Sequence, residues 1–244
     1  MEEVAPDPPA IIEEEESPPL PHIPVALPPT CSTQVLRLPV GFAMVIDDFL
    51  TGEECASLLQ LAEATHSWEP ALVNFGNGAQ ILALSARKCG RIIVDSHELA
   101  DMLFQRIRPI LEENEVAIIG ADTKWRIANA PWKVTRINER LRFLRYKPGD
   151  YFRPHQDGHY FTPDETEQSF MTLQIYLGEN LQEYEGGTTR FFFGPKEKIT
   201  ADIEPKQGRA LVFQHRGLRH SGEPMKRGLK YAMRSDFMYT RKRD

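Results

Sequence analysis

The sequence predicts an α+β protein in which two helices precede an antiparallel, β-rich half. Two observations support this fold class. Residues 51–65 and 96–111 carry apolar stripes at helical spacing, whereas the chain after Pro131 consists of short apolar or alternating runs separated by turn signals such as PGD, EGG and KQG. Several short strands at regular spacing are typical of a β-sandwich or barrel. The 244 residues, of which 41% are hydrophobic, suffice for one sizeable core.

Residues 1–33 are acidic and rich in proline, and they include the run EEEE. Proline removes backbone donors and like charges repel one another, so we expect a disordered arm. Residues 34–244 form the predicted folded domain. The chain starts without a basic, apolar secretory signal and has no apolar run as long as a membrane span, so a cytoplasmic or nuclear protein with no membrane partner is expected.

The first ordered segment is predicted at residues 34–50, QVLRLPVGFAMVIDDFL, which reads as one or two strands broken at Gly41. A helix follows, because Thr51 and Glu54 have the spacing of a capping box before an apolar stripe. NFGNGAQ is predicted as a loop and GRIIVDS as a short strand. Ser96 then precedes a second amphipathic helix, HELADMLFQRIRPIL.

The predicted strands of the second half are LRFLRYKPGDYFRPHQDG (two strands and a turn), FMTLQIYL, TTRFFF, KITADIEP, RALVFQH and LKYAMRSDFMY. The net charge of −6 provides no basic footprint, so no nucleic-acid partner is expected. Three widely spaced cysteines predict neither a zinc knuckle nor a disulfide framework, and this usage fits a reducing compartment.

His155 and Asp157 are the first candidate functional residues. On a strand, residues i and i+2 project from one face, so an imidazole nitrogen and a carboxylate oxygen can reach one point. A metal needs a third ligand, and the later segment offers both His215 and His220. Two histidines and one carboxylate that leave open positions form the facial triad of non-haem Fe(II) oxygenases. A zinc hydrolase could use the same residue types, but no HExxH motif accompanies them.

A chelating 2-oxo acid also needs a cation for its far carboxylate. Lys230 lies ten residues after His220 on the next predicted strand, and Arg234 shares its face by the period of two. Either side chain can pair with a carboxylate, Arg234 bidentately and Lys230 as a point charge. The Tyr146 hydroxyl could donate to the same carboxylate. An HxD triplet alone is better explained by ordinary polar residues at a strand end. The combination of HxD, a distant histidine and a following lysine in a β-rich half is what favours a site.

The segments RYKPGDYFRPHQDG and HSGEPMKRGLKYAMRSDFMY together resemble the Fe(II)- and 2-oxoglutarate-dependent dioxygenases of the prolyl 4-hydroxylase-like family, over about residues 40–240. The matching positions are Tyr146, Gly149, Phe152, His155, Asp157, His220, Gly228 and Lys230. The resemblance implies a double-stranded β-helix (jelly-roll) core with flanking N-terminal helices. It implies that His155, Asp157 and His220, rather than His215, bind iron, and that Lys230 binds the distal carboxylate of 2-oxoglutarate with help from Tyr146.

The activity implied by this resemblance is hydroxylation of a carbon centre with Fe(II), 2-oxoglutarate and O2, with release of succinate and CO2 and with ascorbate as a candidate reductant. The substrate expected first is a prolyl or other residue in a protein. Oxidation of a small molecule and a non-catalytic jelly-roll binding protein are the alternatives. Candidate substrate-contacting or supporting residues are His159, Arg136, Asn138, Arg190 and Arg234.

Overall fold

A computed structural model of the protein describes residues 18–74, 80–178 and 184–242. Within these ranges the chain forms two α-helices, α1 (Gly52–Thr65) and α2 (His97–Glu113), and one 3-10 turn at Pro195–Glu197. The strands are β1 (Ser32–Val35), β2 (Ala43–Asp47), β3 (Glu69–Pro70), β4 (Val73–Asn74), β5 (Gln80–Ile81), β6 (Arg87–Lys88), β7 (Gly90–Asp95), β8 (Ile118–Ile119), β9 (Trp132–Ile137), β10 (Arg140–Tyr146), β11 (Tyr151–His155), β12 (Glu167–Tyr176), β13 (Glu185–Gly186), β14 (Thr189–Phe193), β15 (Ile199–Ile203), β16 (Ala210–Gln214), β17 (His220–Gly222), β18 (Met225–Arg227) and β19 (Lys230–Arg241).

Two antiparallel sheets contain most of these strands. The larger sheet has ten strands in the order β1-β2-β16-β12-β19-β10-β7-β3, with β9 paired to β19 and β8 to β9. The smaller sheet has five strands in the order β15-β14-β17-β11-β6. The predicted α+β class with a β-rich second half is confirmed. The helical half and the β half are separate along the sequence but not in space, because β1, β2 and β7 from the first half belong to the larger sheet.

The alternation of apolar residues along the strands builds one core on each face of the larger sheet. In β16, Ala210 and Val212 belong to the core that contains the buried residues of both helices. Their neighbours Leu211 and Phe213 belong to the core between the two sheets. Successive strand residues point to opposite faces, so a continuous apolar run is buried on both sides. The helices therefore cover the outer face of the larger sheet, and the inner face is left to the second sheet and the cavity.

Both predicted helix starts are confirmed. The Thr51 side chain accepts a hydrogen bond from the Glu54 amide, and the Glu54 carboxylate accepts one from the Thr51 amide, which completes the capping box. Ser96 caps α2 by accepting from the Leu99 amide. These bonds satisfy backbone donors that have no partner within the helix. The predicted loop NFGNGAQ lies between β4 and β5, and its residues 75–79 are outside the described ranges.

The inner part of the predicted arm lies against the folded domain. Ile23 is buried in the helix-side core, and the Pro24 carbonyl accepts a hydrogen bond of 2.6 Å from the Arg106 Nε atom. The buried Arg106 guanidinium also binds both Glu54 carboxylate oxygens, at 2.6 and 2.7 Å. Residues 18–33 thus gain apolar and charge-assisted contacts that composition alone does not reveal. Residues 1–17 of this arm lie outside the described ranges, and the domain boundary at residue 34 stays a prediction.

Neither described helix combines the length and the apolar character that crossing a bilayer requires.

Candidate active site

His155 and His220 are brought together by strand pairing in the smaller sheet. His155 ends β11, His220 begins β17, and the two residues are direct cross-strand partners. Their ring centroids lie 4.4 Å apart. On one side His155 is stacked on Phe152, with centroids 3.6 Å apart. The sequence predicts that a histidine from a late strand lies beside His155. His220 occupies this position because β11 and β17 pair in this register.

Asp157 lies just past the end of β11, in the following loop rather than on the strand. The predicted same-face geometry of a strand therefore does not by itself place this carboxylate. A hydrogen bond from the opposite sheet does so, because the Thr172 hydroxyl of β12 donates to Asp157 Oδ2 at 2.6 Å. Asp157 Oδ1 lies 3.6 Å from His155 Nε2, and Oδ2 lies 3.8 Å from His220 Nε2. One ligand atom from each of the three residues falls within 4.8 Å of the others.

The protonation states of His220 and Asp157 suit a divalent metal. Burial lowers the pKa of His220 to about 4, so its ring is neutral near pH 7. Burial alone would raise the pKa of Asp157, but the Arg234 guanidinium and the two imidazoles outweigh it, and the pKa lies well below its ordinary value. Metal ligands must be a neutral imidazole and an ionised carboxylate. The residues present therefore fit a metal that takes two nitrogens and one oxygen.

Backbone carbonyls orient both imidazole rings. His155 Nδ1 lies 2.8 Å from the Arg153 carbonyl, and His220 Nδ1 lies 3.2 Å from the Leu218 carbonyl. A carbonyl only accepts, so each Nδ1 must carry the proton. Each Nε2 then presents its lone pair toward the shared point. A hydrogen bond from Nδ1 to a carbonyl is the usual way in which a protein fixes the tautomer of a histidine that binds a metal through Nε2.

A single cavity joins this group, here named the triad end (His155, Asp157 and His220), to a second group on the larger sheet. The second group, here named the lysine end, consists of Lys230 and Tyr146. Lys230 begins β19 and Tyr146 ends β10, and the two are cross-strand partners. Both are buried. The predicted proximity of a lysine and a tyrosine to the HxD histidine is therefore present as shared lining of one cavity.

The Lys230 ammonium is buried without a salt bridge to any described carboxylate within 4 Å. Its Nζ atom donates to the Gly187 carbonyl at 2.6 Å and lies 5.1 and 5.4 Å from the ring centroids of Tyr146 and Tyr176. Burial lowers the pKa of Lys230 to about 8. Gly187 has φ +75° and packs so closely on the Met225 sulfur that a Cβ would collide with it. Glycine is thus required where the backbone carbonyl approaches the lysine.

Arg234 lies near the triad end rather than beside Lys230. Its Nη2 atom is 3.0 Å from Asp157 Oδ1 and 3.5 Å from Asp236 Oδ1. Asp236 is also 3.3 Å from the Arg142 guanidinium and 3.4 Å from His215 Nε2. His215 is fully buried and is turned to Asp236, not to the three clustered side chains. Two arginines and two aspartates thus balance their charges beside the triad end.

The remaining predicted substrate residues do not line this cavity. Arg136 is bound to Glu139 and Glu167, and Arg190 to Asp202 and Glu223, all at 2.6–2.8 Å. The buried Asn138 side chain accepts from the Arg140 amide in the turn before β10. His159 is exposed, and its Nδ1 atom lies 2.8 Å from the Ser169 carbonyl. The structure places these four residues in surface ion pairs, a turn and a loop.

The sequence analysis missed Thr172, which contacts Asp157, and Arg87, which lines the cavity. Thr172 carries the hydrogen bond to Asp157, but a threonine in a strand gives no signal of its own. Arg87 lies on the two-residue strand β6, is buried, and lines the cavity. A two-residue strand has too few positions to show a periodic pattern.

Comparison with known proteins gives a family match for the part of the chain that carries the cavity. Residues 141–236 match the family model described as the 2OG-Fe(II) oxygenase superfamily. This chain is a 2-oxoglutarate-dependent Fe(II) dioxygenase. The matched range spans β10 to Asp236 of β19 and thus contains the triad end and the lysine end. The cofactors of the family are Fe(II), 2-oxoglutarate and O2. No curated protein is significantly similar to the chain in sequence.

Solved structures share the fold of this oxygenase. A prolyl-4-hydroxylase from Pseudomonas putida aligns with a TM-score of 0.53 and 18% identity, over 87% of this chain and 92% of that chain. A prolyl hydroxylase from Trichoplax adhaerens, in complex with a peptide fragment of the oxygen degradation domain of hypoxia inducible factor, aligns with a TM-score of 0.54 and 16% identity, over 80% and 82%. The predicted double-stranded β-helix is confirmed.

Proposed function

We propose that His155, Asp157 and His220 hold Fe(II), that Lys230 and Tyr146 bind the distal carboxylate of 2-oxoglutarate, and that the oxygenase hydroxylates a residue in a protein. The observation that carries the metal assignment is the donor set: one imidazole nitrogen from each histidine and one carboxylate oxygen lie within 4.8 Å of one another, and a backbone carbonyl beside each Nδ1 leaves Nε2 free to bind a metal. Three ligands on one side leave the opposite positions open for a co-substrate.

When bound, iron and 2-oxoglutarate supply oxidation by O2, in which one oxygen atom enters the substrate carbon and the other enters succinate, with loss of CO2. The side chains of the protein do the binding and the orientation. Thr172 and Arg234 hold Asp157 from the larger sheet, and the stacked Phe152 ring limits rotation of His155. Lys230 provides a buried positive charge at a fixed position relative to the triad end. Burial of these groups strengthens each electrostatic contact.

A protein substrate is supported by exposed apolar residues in the segment that contacts β11 and in the loop that follows Asp157. Leu82 and Leu84 are exposed in the segment that precedes β6, and the Leu84 carbonyl accepts a hydrogen bond from the Tyr151 hydroxyl of β11. Tyr160 and Phe161 are exposed shortly after Asp157. Exposed apolar side chains that flank an active site favour contact with a chain longer than a small metabolite. Among proteins of the same fold, the Trichoplax enzyme holds a peptide.

The test is formation of succinate from 2-oxoglutarate by the purified protein with Fe(II) and ascorbate. Peptide arrays, with proline-containing peptides as the first set, are compared with pools of metabolites. We expect peptide-stimulated turnover in the wild type and none in Asp157→Ala. The matched control is Asp164→Ala, which removes an exposed carboxylate from the neighbouring loop and should keep full activity.

Stimulation by metabolites alone would replace the protein substrate with a small molecule. Absence of both turnover and iron-dependent binding of 2-oxoglutarate would instead contradict the ligand assignments, and would favour a protein that only binds a partner.

A further inference from the structure

Arg87 is a second buried cation in the cavity. It is 7% exposed and lines the same space as Lys230, His155 and Asp157. Within the described part of the chain, no carboxylate lies within salt-bridge distance of its guanidinium, and all of its interactions are with neutral groups. A buried, unpaired cation is costly, and such groups normally have an anion as partner.

The contacts of Arg87 locate it between the lysine end and the triad end. Its Nε atom donates to Cys89 Sγ at 3.2 Å, and its side chain interacts with the Tyr146 hydroxyl. Its guanidinium carbon lies 4.5 Å from the centroid of the Phe152 ring. Phe152 in turn stacks on His155. Arg87 is therefore fixed by Tyr146 on one side and by the aromatic stack next to His155 on the other.

Arg234, which lines the cavity, and Arg142, which lies beside it, differ from Arg87 in charge balance. Arg234 and Arg142 are compensated by Asp157 and Asp236. Lys230 and Arg87 have no such partner, so two positive charges remain for a ligand. A carboxylate held between an ammonium and a guanidinium receives charge-assisted hydrogen bonds from both, and the planar guanidinium can donate two in parallel.

We infer that Arg87 is a second cation of the co-substrate site and that it binds the distal carboxylate of 2-oxoglutarate together with Lys230. This inference rests on the proposed function, because it uses the same co-substrate. It makes the cavity selective for an oxo diacid over an oxo monoacid by two charged contacts rather than one. It also ties the short strand β6, which precedes the range matched by the family model, to recognition of the co-substrate.

The experiment measures binding of two acids to the Mn(II)-loaded protein by calorimetry without O2. The acids are 2-oxoglutarate and 2-oxopentanoate, which has the same chain length but no distal carboxylate. In Arg87→Met we expect the Kd of 2-oxoglutarate to rise about 10- to 100-fold, the range for a lost charged hydrogen bond. The Kd of 2-oxopentanoate should stay within about 2-fold, since it makes no contact that depends on the distal carboxylate.

The matched control is Arg140→Met, which removes an arginine that is paired with Asp95 at the surface instead of lining the cavity. It should leave both affinities unchanged. If Arg87→Met does not fold, Arg87→Lys carries the test, because a lysine keeps the charge but loses the paired N–H donors. A rise of about 3- to 10-fold for 2-oxoglutarate alone is expected in that variant.

Unchanged affinity for 2-oxoglutarate in the folded Arg87 variant, or equal weakening of both acids, would overturn the inference. Lys230→Met separates this failure from that of the proposed function. If Lys230→Met weakens binding of 2-oxoglutarate and the Arg87 variants do not, only the role of Arg87 is wrong. If neither residue matters, the assignment of the co-substrate site itself is wrong.

Discussion

The two ends of the cavity treat buried charge in opposite ways. At the triad end, Arg234 and Arg142 neutralise Asp157 and Asp236 through contacts of 3.0–3.5 Å. At the lysine end, Lys230 contacts a carbonyl and two aromatic rings, and no described carboxylate lies within salt-bridge distance of it. At the triad end the charges of the arginines and aspartates balance, so a metal cation can bind there without adding to an excess of positive charge. At the lysine end the positive charge has no carboxylate partner, so an anionic ligand is needed. The difference explains why a metal and a dicarboxylate suit one cavity.

The largest expected effect distinguishes His220, the proposed metal ligand, from His215, the other histidine late in the chain. His220→Ala should weaken binding of Fe(II) or Mn(II) by about 1000-fold or more, because removal of a direct ligand exceeds the 10- to 100-fold cost of removing an outer contact. His215→Ala should retain metal binding, since His215 faces Asp236. Metal titration of the folded variants, followed by electron paramagnetic resonance of Mn(II), measures both. A reversed pattern would move the third ligand to His215.

At the lysine end, Lys230→Met should raise the 2-oxoglutarate requirement by about 100-fold while metal affinity stays unchanged. The loss of one partner of a buried charge pair costs about 2–5 kcal/mol, which gives this range. Steady-state succinate formation at several concentrations of 2-oxoglutarate measures the effect. Arg234→Met is the matched comparison at the opposite end, and we expect it to alter metal affinity more than the 2-oxoglutarate requirement. An unchanged requirement in Lys230→Met would give the role to Arg234.

The pH dependence of co-substrate binding provides a smaller test. Burial lowers the pKa of Lys230 to about 8, so the ammonium loses its proton as pH rises through about 8, and affinity for an anion is lost in the same direction. We expect the Kd of 2-oxoglutarate to be constant from pH 6.5 to 7.5 and to rise above pH 8 by up to about 10-fold per pH unit. Lys230→Arg, which stays charged, should bind with a flat profile. A flat wild-type profile would contradict the lowered pKa.

The smallest predicted effect concerns Thr172, which joins the larger sheet to the triad end. Thr172→Val keeps the shape of the side chain but removes the 2.6 Å hydrogen bond to Asp157. A hydrogen bond to a charged group contributes about 1.5–3 kcal/mol, but Arg234 still holds Asp157, so we expect metal affinity to fall only about 5- to 10-fold. Competition with a metal-binding dye measures this change. Thr189→Val provides a control, because Thr189 is bonded to Tyr176 and Gln174 instead.

The sequence predicted the residues that share a face or a cap, and missed those that meet only in three dimensions. Thr51 and Ser96 marked the helix starts because capping is local. His155, Asp157, His220 and Lys230 were predicted because their spacing resembles a known family, and the structure places them in one cavity. Their roles as ligands stay predictions until the variants are measured.

Other contacts left no pattern in the sequence. Arg87 lies on a two-residue strand, and Ile23 is a single apolar residue in a proline-rich stretch, yet both are buried. The pairing of His215 with Asp236 joins β19 to the residue that follows β16. The burial of such residues depends on how distant strands pack, which composition and periodicity do not specify.

Strand β19 has one consequence for substrate choice. This twelve-residue strand lies between β12 and β10 and carries both Lys230 and Arg234 on its cavity face. At about 3.3 Å per residue, the two positions are roughly 13 Å apart along a backbone that is paired with a neighbouring strand on each side. The strand therefore fixes the spacing between Lys230 and the arginine that contacts Asp157. Under the proposed assignment of iron to the triad end and of the distal carboxylate to Lys230, we expect this fixed spacing to favour 2-oxoglutarate over 2-oxoadipate, the diacid that is one carbon longer.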